Sequence, residues 1–254
     1  MKLRTQDSAL STLQQQVIAC RLCPRLSEHC ALMARVTRRA FLDWDYWGKP
    51  IPSFGDPQAR LLVLGLAPAA HGGNRTGRMF TGDRSGDFLY HALWRAGFAN
   101  QPVSRHRGDG LNLRDCYITA AVRCAPPGNK PTPKEMKNCR RYLERELELL
   151  PRVRVVVALG KIAFDSYRNV RPLKGARFSH GACYQPSDGP VLMASYHPSQ
   201  QNTFTGKLTA KMLEDVFRRA RKLLKPPMNA ECAGINRRGV ANERVAQERS
   251  REPS

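Results

Sequence analysis

Long hydrophobic runs are absent from this sequence, and acidic residues are scarce in it. No apolar stretch approaches the roughly 18 residues that a membrane-spanning helix needs, so we predict no membrane partner. The N-terminal residues also lack the apolar core of a secretory signal, which predicts a cytoplasmic protein. Only 21 Asp and Glu residues stand against 42 Lys and Arg residues, and the formal net charge of +21 predicts a polyanionic partner.

The order of hydrophobic patterns predicts an α/β fold. Amphipathic helical segments alternate with buried-strand patterns, which cover residues 61–66, 116–122, 153–159 and 190–196. Strands that alternate with helices form a parallel sheet with helices on both faces. After Pro227 the composition becomes polar and aperiodic. We therefore predict one domain at residues 1–225 and a disordered tail at residues 226–254.

Cysteine spacing indicates a metal site. Cys20 and Cys23 form a C-x2-C motif, and Cys124 and Cys139 form a C-x14-C motif. In a reducing compartment, four converging thiolates bind either tetrahedral zinc or a 4Fe-4S cluster, and the spacing alone does not separate the two. The simpler alternative is that buried cysteines serve as small hydrophobic residues. We assign the remaining cysteines to the core or the tail, namely Cys30, Cys116, Cys183 and Cys232.

A glycine-rich loop follows the first predicted strand and is the first candidate site. The first loop, residues 65–83, reads GLAPAAHGGNRTGRMFTGD. Ligand sites of parallel α/β sheets lie beyond the carboxyl ends of the strands, which is where this loop begins. Its glycines permit close approach to a ligand, and its hydrogen-bond donors include Asn74, Arg75, Thr76 and Arg78. The Walker spacing G-x4-G-K-[ST] is absent, and the alternative is a flexible surface loop.

The end of the fourth predicted strand carries a second candidate site. The second loop, residues 197–209, reads HPSQQNTFTGKLT and starts at His197. A lone histidine is often structural, but this one comes directly after a strand and before a polar loop. That position favours a functional role for His197.

The two loops and the cysteine set together resemble the type b, or family 5, uracil-DNA glycosylases of bacteria and archaea, in the uracil-DNA glycosylase superfamily. The resemblance covers residues 20–224. It implies a three-layer sandwich with a four-stranded parallel sheet, and a structural 4Fe-4S cluster on Cys20, Cys23, Cys124 and Cys139, with zinc as a minor alternative. It also implies a monofunctional, monomeric enzyme that flips uracil out of DNA, double-stranded or single-stranded, and hydrolyses its N-glycosidic bond to initiate base excision repair at the nucleoid.

The resemblance also implies roles for individual residues. Catalysis is assigned to His197, which would stabilise the departing base anion, and to Asn74 and Ala67, which would place the attacking water. Base binding is assigned to Phe80, which would stack on the flipped base, and to Ala69, His71 and Asn202. DNA binding is assigned to Arg75, Arg78, Ser199 and Lys207, and the second loop would fill the gap in the duplex.

Two positions depart from the pattern of related enzymes. Leu66 stands where type a enzymes carry an acidic residue, and no residue of the GLAPA stretch is ionisable. No general base is evident, so we expect a dissociative path in which the bond breaks before water attacks. Ala120 stands where type a enzymes place an asparagine that reads uracil. We therefore expect a permissive pocket that also accepts hypoxanthine, xanthine and ethenocytosine.

Two alternatives stay open at this point. The first is a non-catalytic nucleic-acid-binding module that carries a cysteine-bound metal. The second is an enzyme whose main substrate is a deaminated purine, with uracil incidental. Duplex oligonucleotides that each carry one lesion separate these possibilities from a uracil-DNA glycosylase.

Overall fold

The computed structural model describes the backbone of residues 2–225 and the side chains of residues 7–225. Its centre is a six-stranded sheet in the order β1-β3-β2-β4-β6-β5. The strands are β1 (Phe54–Gly55), β2 (Leu61–Gly65), β3 (Cys116–Ala120), β4 (Val155–Leu159), β5 (Cys183–Tyr184) and β6 (Val191–Ser195). The predicted tail, residues 226–254, lies outside the described residues.

The predicted parallel sheet is confirmed for its four central strands, but the sheet is wider than predicted. β3, β2, β4 and β6 pair in parallel, whereas the two-residue strands β1 and β5 pair antiparallel at the two edges. Strands of two residues are too short to show a period, so hydrophobic patterning cannot detect them.

Eight α-helices surround the sheet within the described residues. They are α1 (Lys2–Ala19), α2 (Pro24–Arg35), α3 (Gly73–Thr76), α4 (Arg84–Arg95), α5 (Pro133–Leu149), α6 (Lys161–Val170), α7 (Gln200–Phe204) and α8 (Ala210–Leu223). The single-turn helices α3 and α7 lie inside the first and second loops. Among the described residues, no helix is long and apolar enough to cross a membrane.

Alternate residues of the central strands face two different helix layers. Leu61 and Val63 belong to a core shared with α4 and α8, whereas Leu62 and Leu64 pack with residues of α5 and α6. Strands covered on both faces read as continuous apolar runs, which is why the sequence shows them clearly. The predicted three-layer sandwich is confirmed.

A smaller core lies beside the sheet and contains most of the cysteines. Residues of α1, α2 and α5 pack there with the segment that follows β3. Helix α5 starts with a complete capping box: Thr132 Oγ1 accepts from the Glu135 N–H at 3.3 Å, and Glu135 Oε2 accepts from the Thr132 N–H at 2.7 Å. This local signal fixes the start of the helix that carries Cys139.

A buried ion pair joins the elements around that core. Arg123 and Glu146 are 1% and 0% exposed, and Arg123 Nη2 lies 2.5 Å from Glu146 Oε2. The same carboxylate accepts from Thr119 Oγ1 at 2.6 Å, from Ser53 Oγ at 2.5 Å and from Gln14 Nε2 at 3.2 Å. The pair therefore links α1, β3 and α5 through one carboxylate.

Candidate active site

The candidate active site lies at the carboxyl ends of three neighbouring strands. β2 ends at Gly65, β4 ends at Leu159 and β6 ends at Ser195, and these strands are adjacent in the order β2-β4-β6. The first loop follows β2 and the second follows β6, so both loops leave the same end of the sheet with β4 between them. The structure brings Phe80 of the first loop to His197 of the second, with ring centroids 6.0 Å apart and planes inclined by 32°.

His197 is held by its backbone and by the glycine that follows β4. A Cβ atom on Gly160, whose φ is +92°, would lie 3.2 Å from the His197 Cβ, so the glycine makes room for the histidine. The His197 carbonyl oxygen accepts from Asn202 Nδ2 at 2.8 Å. Desolvation lowers the pKa of His197 to about 4. The imidazole is therefore neutral at physiological pH and can donate one N–H to a developing anion.

Phe80 occupies its position because two glycines give it space. A Cβ on Gly65 would lie 2.6 Å from the Phe80 Cζ, and a Cβ on Gly86 would lie 1.8 Å from the Phe80 carbonyl oxygen. Phe80 itself has a φ of +51°, a left-handed conformation that is strained for a phenylalanine. The strained backbone lays a flat ring over the end of β2, where it can stack on a planar heterocycle.

Asn74 lies inside the protein, in contact with α2. Its side chain is fully buried, and Nδ2 donates to the Cys30 carbonyl oxygen at 3.1 Å. Its Oδ1 has no partner among the described residues and can accept a hydrogen bond from water. The Asn74 N–H donates to the Ala69 carbonyl oxygen at 3.0 Å. Ala67 packs against the cysteine-lined core.

Arg75 does not occupy a position that supports the predicted phosphate contact. It is 4% exposed, and its guanidinium carbon lies 3.9 Å from the Phe41 ring and 4.0 Å from the Trp44 ring. It also donates to the carbonyl oxygens of His71 and Gly82, both at 2.9 Å. Its side chain is thus committed to holding the first loop in shape.

Arg78 is also buried and engaged inside the protein, which does not support its predicted contact with DNA. Its guanidinium donates to Thr81 Oγ1 at 3.0 Å, to Ser104 Oγ at 2.6 Å and to both carboxylate oxygens of Asp109 at 2.7 and 2.8 Å. Although burial opposes it, the hydrogen bond from Arg78 contributes to a pKa of about 2 for Asp109. Turning Arg78 toward DNA would leave a carboxylate buried without its partner, which is costly.

His71 is anchored by a residue that the sequence patterns did not indicate. The Tyr46 hydroxyl and His71 Nδ1 are 3.1 Å apart. Desolvation, and then the charges of Arg38 and Arg75, lower the pKa of His71. Tyr46 belongs to a segment rich in aromatic residues, 41–47, which packs on the first loop and to which the sequence analysis assigned no role. The high content of aromatic residues in segment 41–47 was the sequence feature that could have indicated this contact.

The second loop combines internal supports with an exposed edge. Ser199 Oγ accepts from the Asn202 N–H at 3.3 Å and caps α7, while the Asn202 amide group supports the His197 backbone. Lys207 is exposed, with Nζ 5.0 Å from the centroid of the Tyr196 ring. Phe204 is 63% exposed and lies 4.6 Å from the Arg84 guanidinium carbon. Phe204 and Arg84 are surface candidates that sequence reasoning did not single out.

The four predicted metal ligands lie together in the small core beside the sheet. Cys23, Cys124 and Cys139 are buried in it, and Cys20 packs against it. A fifth cysteine, Cys30, is buried in the same core, and its Sγ donates to the Ala125 carbonyl oxygen at 3.7 Å. Within residues 7–225, no group of three or more His, Cys, Asp or Glu side chains is arranged to hold a single metal ion.

Two polar contacts hold the two halves of the cysteine set together. Arg25, just after the C-x2-C motif, forms a two-pronged pair with Glu135 in the first turn of α5, with both hydrogen bonds at 2.8 Å. Asn138 Nδ2 lies 3.4 Å from both the Leu22 carbonyl oxygen and the Cys23 Sγ. These contacts fix the start of α2 against the helix that carries Cys139.

Comparison with known proteins is consistent with this geometry. The model of the uracil DNA glycosylase superfamily matches residues 52–221. The type-5 uracil-DNA glycosylase of Mycobacterium leprae is 52% identical over 219 residues, which cover 85% of this chain and 96% of that protein. The type-5 enzyme of Thermus thermophilus is 53% identical over 213 residues, which cover 82% of this chain and 95% of that protein. A type-4 uracil-DNA glycosylase of Archaeoglobus fulgidus is 30% identical over 155 residues, which cover 59% of this chain and 70% of that protein. The chain therefore belongs to the uracil-DNA glycosylase superfamily, in its type-5 group.

Proposed function

We propose that this chain is a monofunctional uracil-DNA glycosylase that initiates base excision repair. The observation that carries the proposal is that the His197 and Phe80 rings lie 6.0 Å apart at the carboxyl end of the sheet, where desolvation lowers the pKa of His197. An enzyme that acts on a base must take it out of the stack, and an aromatic ring with a neutral donor beside it suits a flipped planar base. Family membership makes uracil the substrate of first choice.

In the proposed reaction, the protein stabilises the departing base, and the glycosidic bond breaks before water attacks the sugar. Phe80 stacks on the flipped uracil, and His197 donates a hydrogen bond to its O2 as negative charge develops there. Asn74 Oδ1 and the backbone near Ala67 and Ala69 place the water that attacks the sugar. The nearby carboxylate of Asp83 is already engaged, since it accepts from the Gly86 N–H at 2.9 Å and caps α4. Burial raises the pKa of Asp83.

The pocket is proposed to accept several damaged bases. Ala120 pairs with Gly65 in the sheet, and Gly65 lies directly under the Phe80 ring. A methyl group at that position offers no hydrogen bond that would reject a base with different edge groups. Hypoxanthine, xanthine and ethenocytosine are therefore proposed as further substrates, and His71 and Asn202 are proposed to contribute to base binding.

DNA is proposed to bind across the exposed edge of the second loop. Lys207 and Arg84 offer cations there, Ser199 lies at the start of α7, and Phe204 presents an exposed ring. The excess of basic residues supplies long-range attraction to the phosphate backbone. We propose that the protein acts as a monomer on double-stranded and single-stranded DNA, in the cytoplasm at the nucleoid.

The proposed function is tested with duplex oligonucleotides that each carry one lesion. We expect alkali-labile abasic sites at uracil, and slower formation of such sites at hypoxanthine, xanthine and ethenocytosine. An undamaged duplex of the same sequence is the control. Binding to every duplex without abasic-site formation would support the non-catalytic module instead, and efficient excision of hypoxanthine alone would make a purine lesion the main substrate.

We further propose that Cys20, Cys23, Cys124 and Cys139 hold a structural 4Fe-4S cluster. The residues fit this group because all four donors are soft thiolates from three segments, and the Arg25 and Asn138 contacts hold two of these segments together. Four thiolates also bind tetrahedral zinc, which stays the minor alternative. When bound, the cluster would cross-link the start of α2 to α5. It would take no part in the reaction.

Anaerobically purified protein should be brown, with absorbance near roughly 400 nm and about four irons per chain. Cys139→Ala should lose iron and stability before it loses the chemical step, because the cluster clamps the N-terminal segment onto α5. Cys30→Ala is the matched control, since it removes a buried thiol from the same core without removing a proposed ligand. A colourless, fully active protein with one bound zinc would contradict the proposal.

A further inference from the structure

We propose that His180 is a positioning residue that holds His197 in place through the backbone of Tyr196, and that protonation of His180 weakens excision at acid pH. The inference rests on the proposed catalytic role of His197. The Tyr196 N–H donates to His180 Nδ1 at 3.2 Å, and the two rings stack with centroids 5.1 Å apart and planes 27° apart. No resemblance or sequence motif indicated His180.

The backbone around His197 is held by three side chains. β6 ends at Ser195, so the Tyr196 N–H lies just beyond the strand and uses His180 as its acceptor. The Tyr196 carbonyl oxygen accepts from Ser195 Oγ at 2.9 Å, and the His197 carbonyl oxygen accepts from Asn202 Nδ2 at 2.8 Å. Of these three supports, only the imidazole changes protonation near neutral pH.

The turn that carries His180 is itself fixed against β6 and α8. The Gly181 N–H donates to the Ala194 carbonyl oxygen at 2.8 Å, and the Ala194 N–H donates back to the Ala182 carbonyl oxygen at 2.9 Å. The Gly181 carbonyl oxygen accepts from Arg219 Nη1 at 2.9 Å. Because its own segment is held on both sides, His180 can act as a rigid support for Tyr196.

Protonation would remove this support, since Nδ1 accepts a hydrogen bond only when it carries no proton. The charged and titratable groups around the pair are Arg219 from α8, Lys207 from the second loop, Tyr196 itself and the adjacent His197. Burial, and then the charge of Arg219, lower the pKa of His180 from its ordinary 6.5. The hydrogen bond from the Tyr196 N–H to His180 is therefore present at neutral pH, and it is lost as the pH falls through the lowered pKa of His180.

Single-turnover excision of uracil should distinguish the hydrogen bond that His180 accepts from the stacking of its ring on Tyr196. At about pH 7.5, His180→Ala should excise about 10-fold more slowly, as a small displacement of His197 predicts, while its affinity for abasic-site DNA stays within about twofold of wild type. His180→Asn places an amide oxygen near the position of Nδ1 and does not titrate. It should restore excision to within about threefold of wild type and keep that rate at acid pH, where the wild type slows.

Each outcome bears on a different claim. Wild-type excision by His180→Ala at neutral pH would overturn the positioning role. An acid decline in His180→Asn equal to that of wild type would overturn the role of His180 protonation. If His180→Ala folds poorly, His180→Asn still decides both points through its rate and pH profile. A nearly silent His197→Ala would instead contradict the proposed function, whatever the His180 variants show.

Discussion

Replacement of His197 by alanine should lower single-turnover uracil excision by about 10²-fold or more, comparable with the loss of one preorganised donor to a developing anion. The reason is that the GLAPA stretch of the first loop has no ionisable group, so the proposed mechanism relies on His197 to stabilise the departing base. Affinity for abasic-site DNA should fall much less, because the departing base is absent from that complex. Parallel measurements of excision and abasic-site binding separate the two effects.

Two variants in the first loop serve as comparisons for His197→Ala. Asn74→Ala should slow excision more modestly, because a misplaced water matters less when bond breaking runs ahead of attack. Asp83→Asn should retain most activity, since asparagine also caps helices well. If Asp83→Asn alone abolished excision while His197→Ala excised at nearly the wild-type rate, a general-base mechanism from that carboxylate would replace the one proposed.

The low pKa of His197 adds a stability test to the kinetic one. The folded protein holds this histidine neutral down to about pH 4, whereas its ordinary pKa is 6.5, so the unfolded chain binds more protons between these values. The contribution of His197 to stability therefore falls as the pH falls through that window. His197→Ala should lose less of its free energy of unfolding than wild type does over the same window in urea titrations.

Replacement of Glu146 by alanine should lower the free energy of unfolding by about 3–5 kcal/mol, the usual cost of leaving one charge of a buried pair without its partner. The Arg123 guanidinium would remain buried, and its Nε already has no partner among the described residues. The hydroxyls of Thr119 and Ser53 would also lose their shared acceptor. Such a loss is a large fraction of the stability of a typical domain. Urea unfolding measures it directly.

A matched control lies on the same helix. Glu148 is 57% exposed and pairs with Arg145 at 2.6 Å on the surface, so Glu148→Ala should cost no more than about 1 kcal/mol. The double variant Arg123→Met with Glu146→Leu should be less destabilised than Glu146→Ala, because it leaves no buried charge unpaired. Equal costs for Glu146→Ala and Glu148→Ala would show that the buried pair does not hold these elements together.

Several features of the protein can be recognised from short stretches of its sequence. The four central strands are apolar along their whole length, because helices cover both faces of the sheet. The capping box at Thr132 acts through residues three positions apart, so it is fully present in the local sequence. The two loops at strand ends are likewise continuous segments, which is why their resemblance to type-5 enzymes led to the right family.

Other features depend on which distant segments meet, and only the tertiary structure decides them. Arginine is a residue type that commonly contacts DNA phosphates, so the sequence predicted that role for Arg75 and Arg78. In the fold, the Arg75 guanidinium stacks on Trp44 and the Arg78 guanidinium pairs with Asp109, and both partners come from other parts of the chain. The hydrogen bond that His180 accepts from the Tyr196 N–H exists only because the turn before β5 packs against the end of β6.

The buried pair of Arg123 and Glu146 also depends on contacts between distant segments. Both residues look like ordinary surface charges in the sequence, and they become a buried pair because α1, β3 and α5 converge on them. A charged side chain is stable in the interior only where partners from other elements replace its water. Hydrophobic periodicity and capping are local properties that the sequence determines by itself, whereas the burial and pairing of polar groups are properties of the assembled fold.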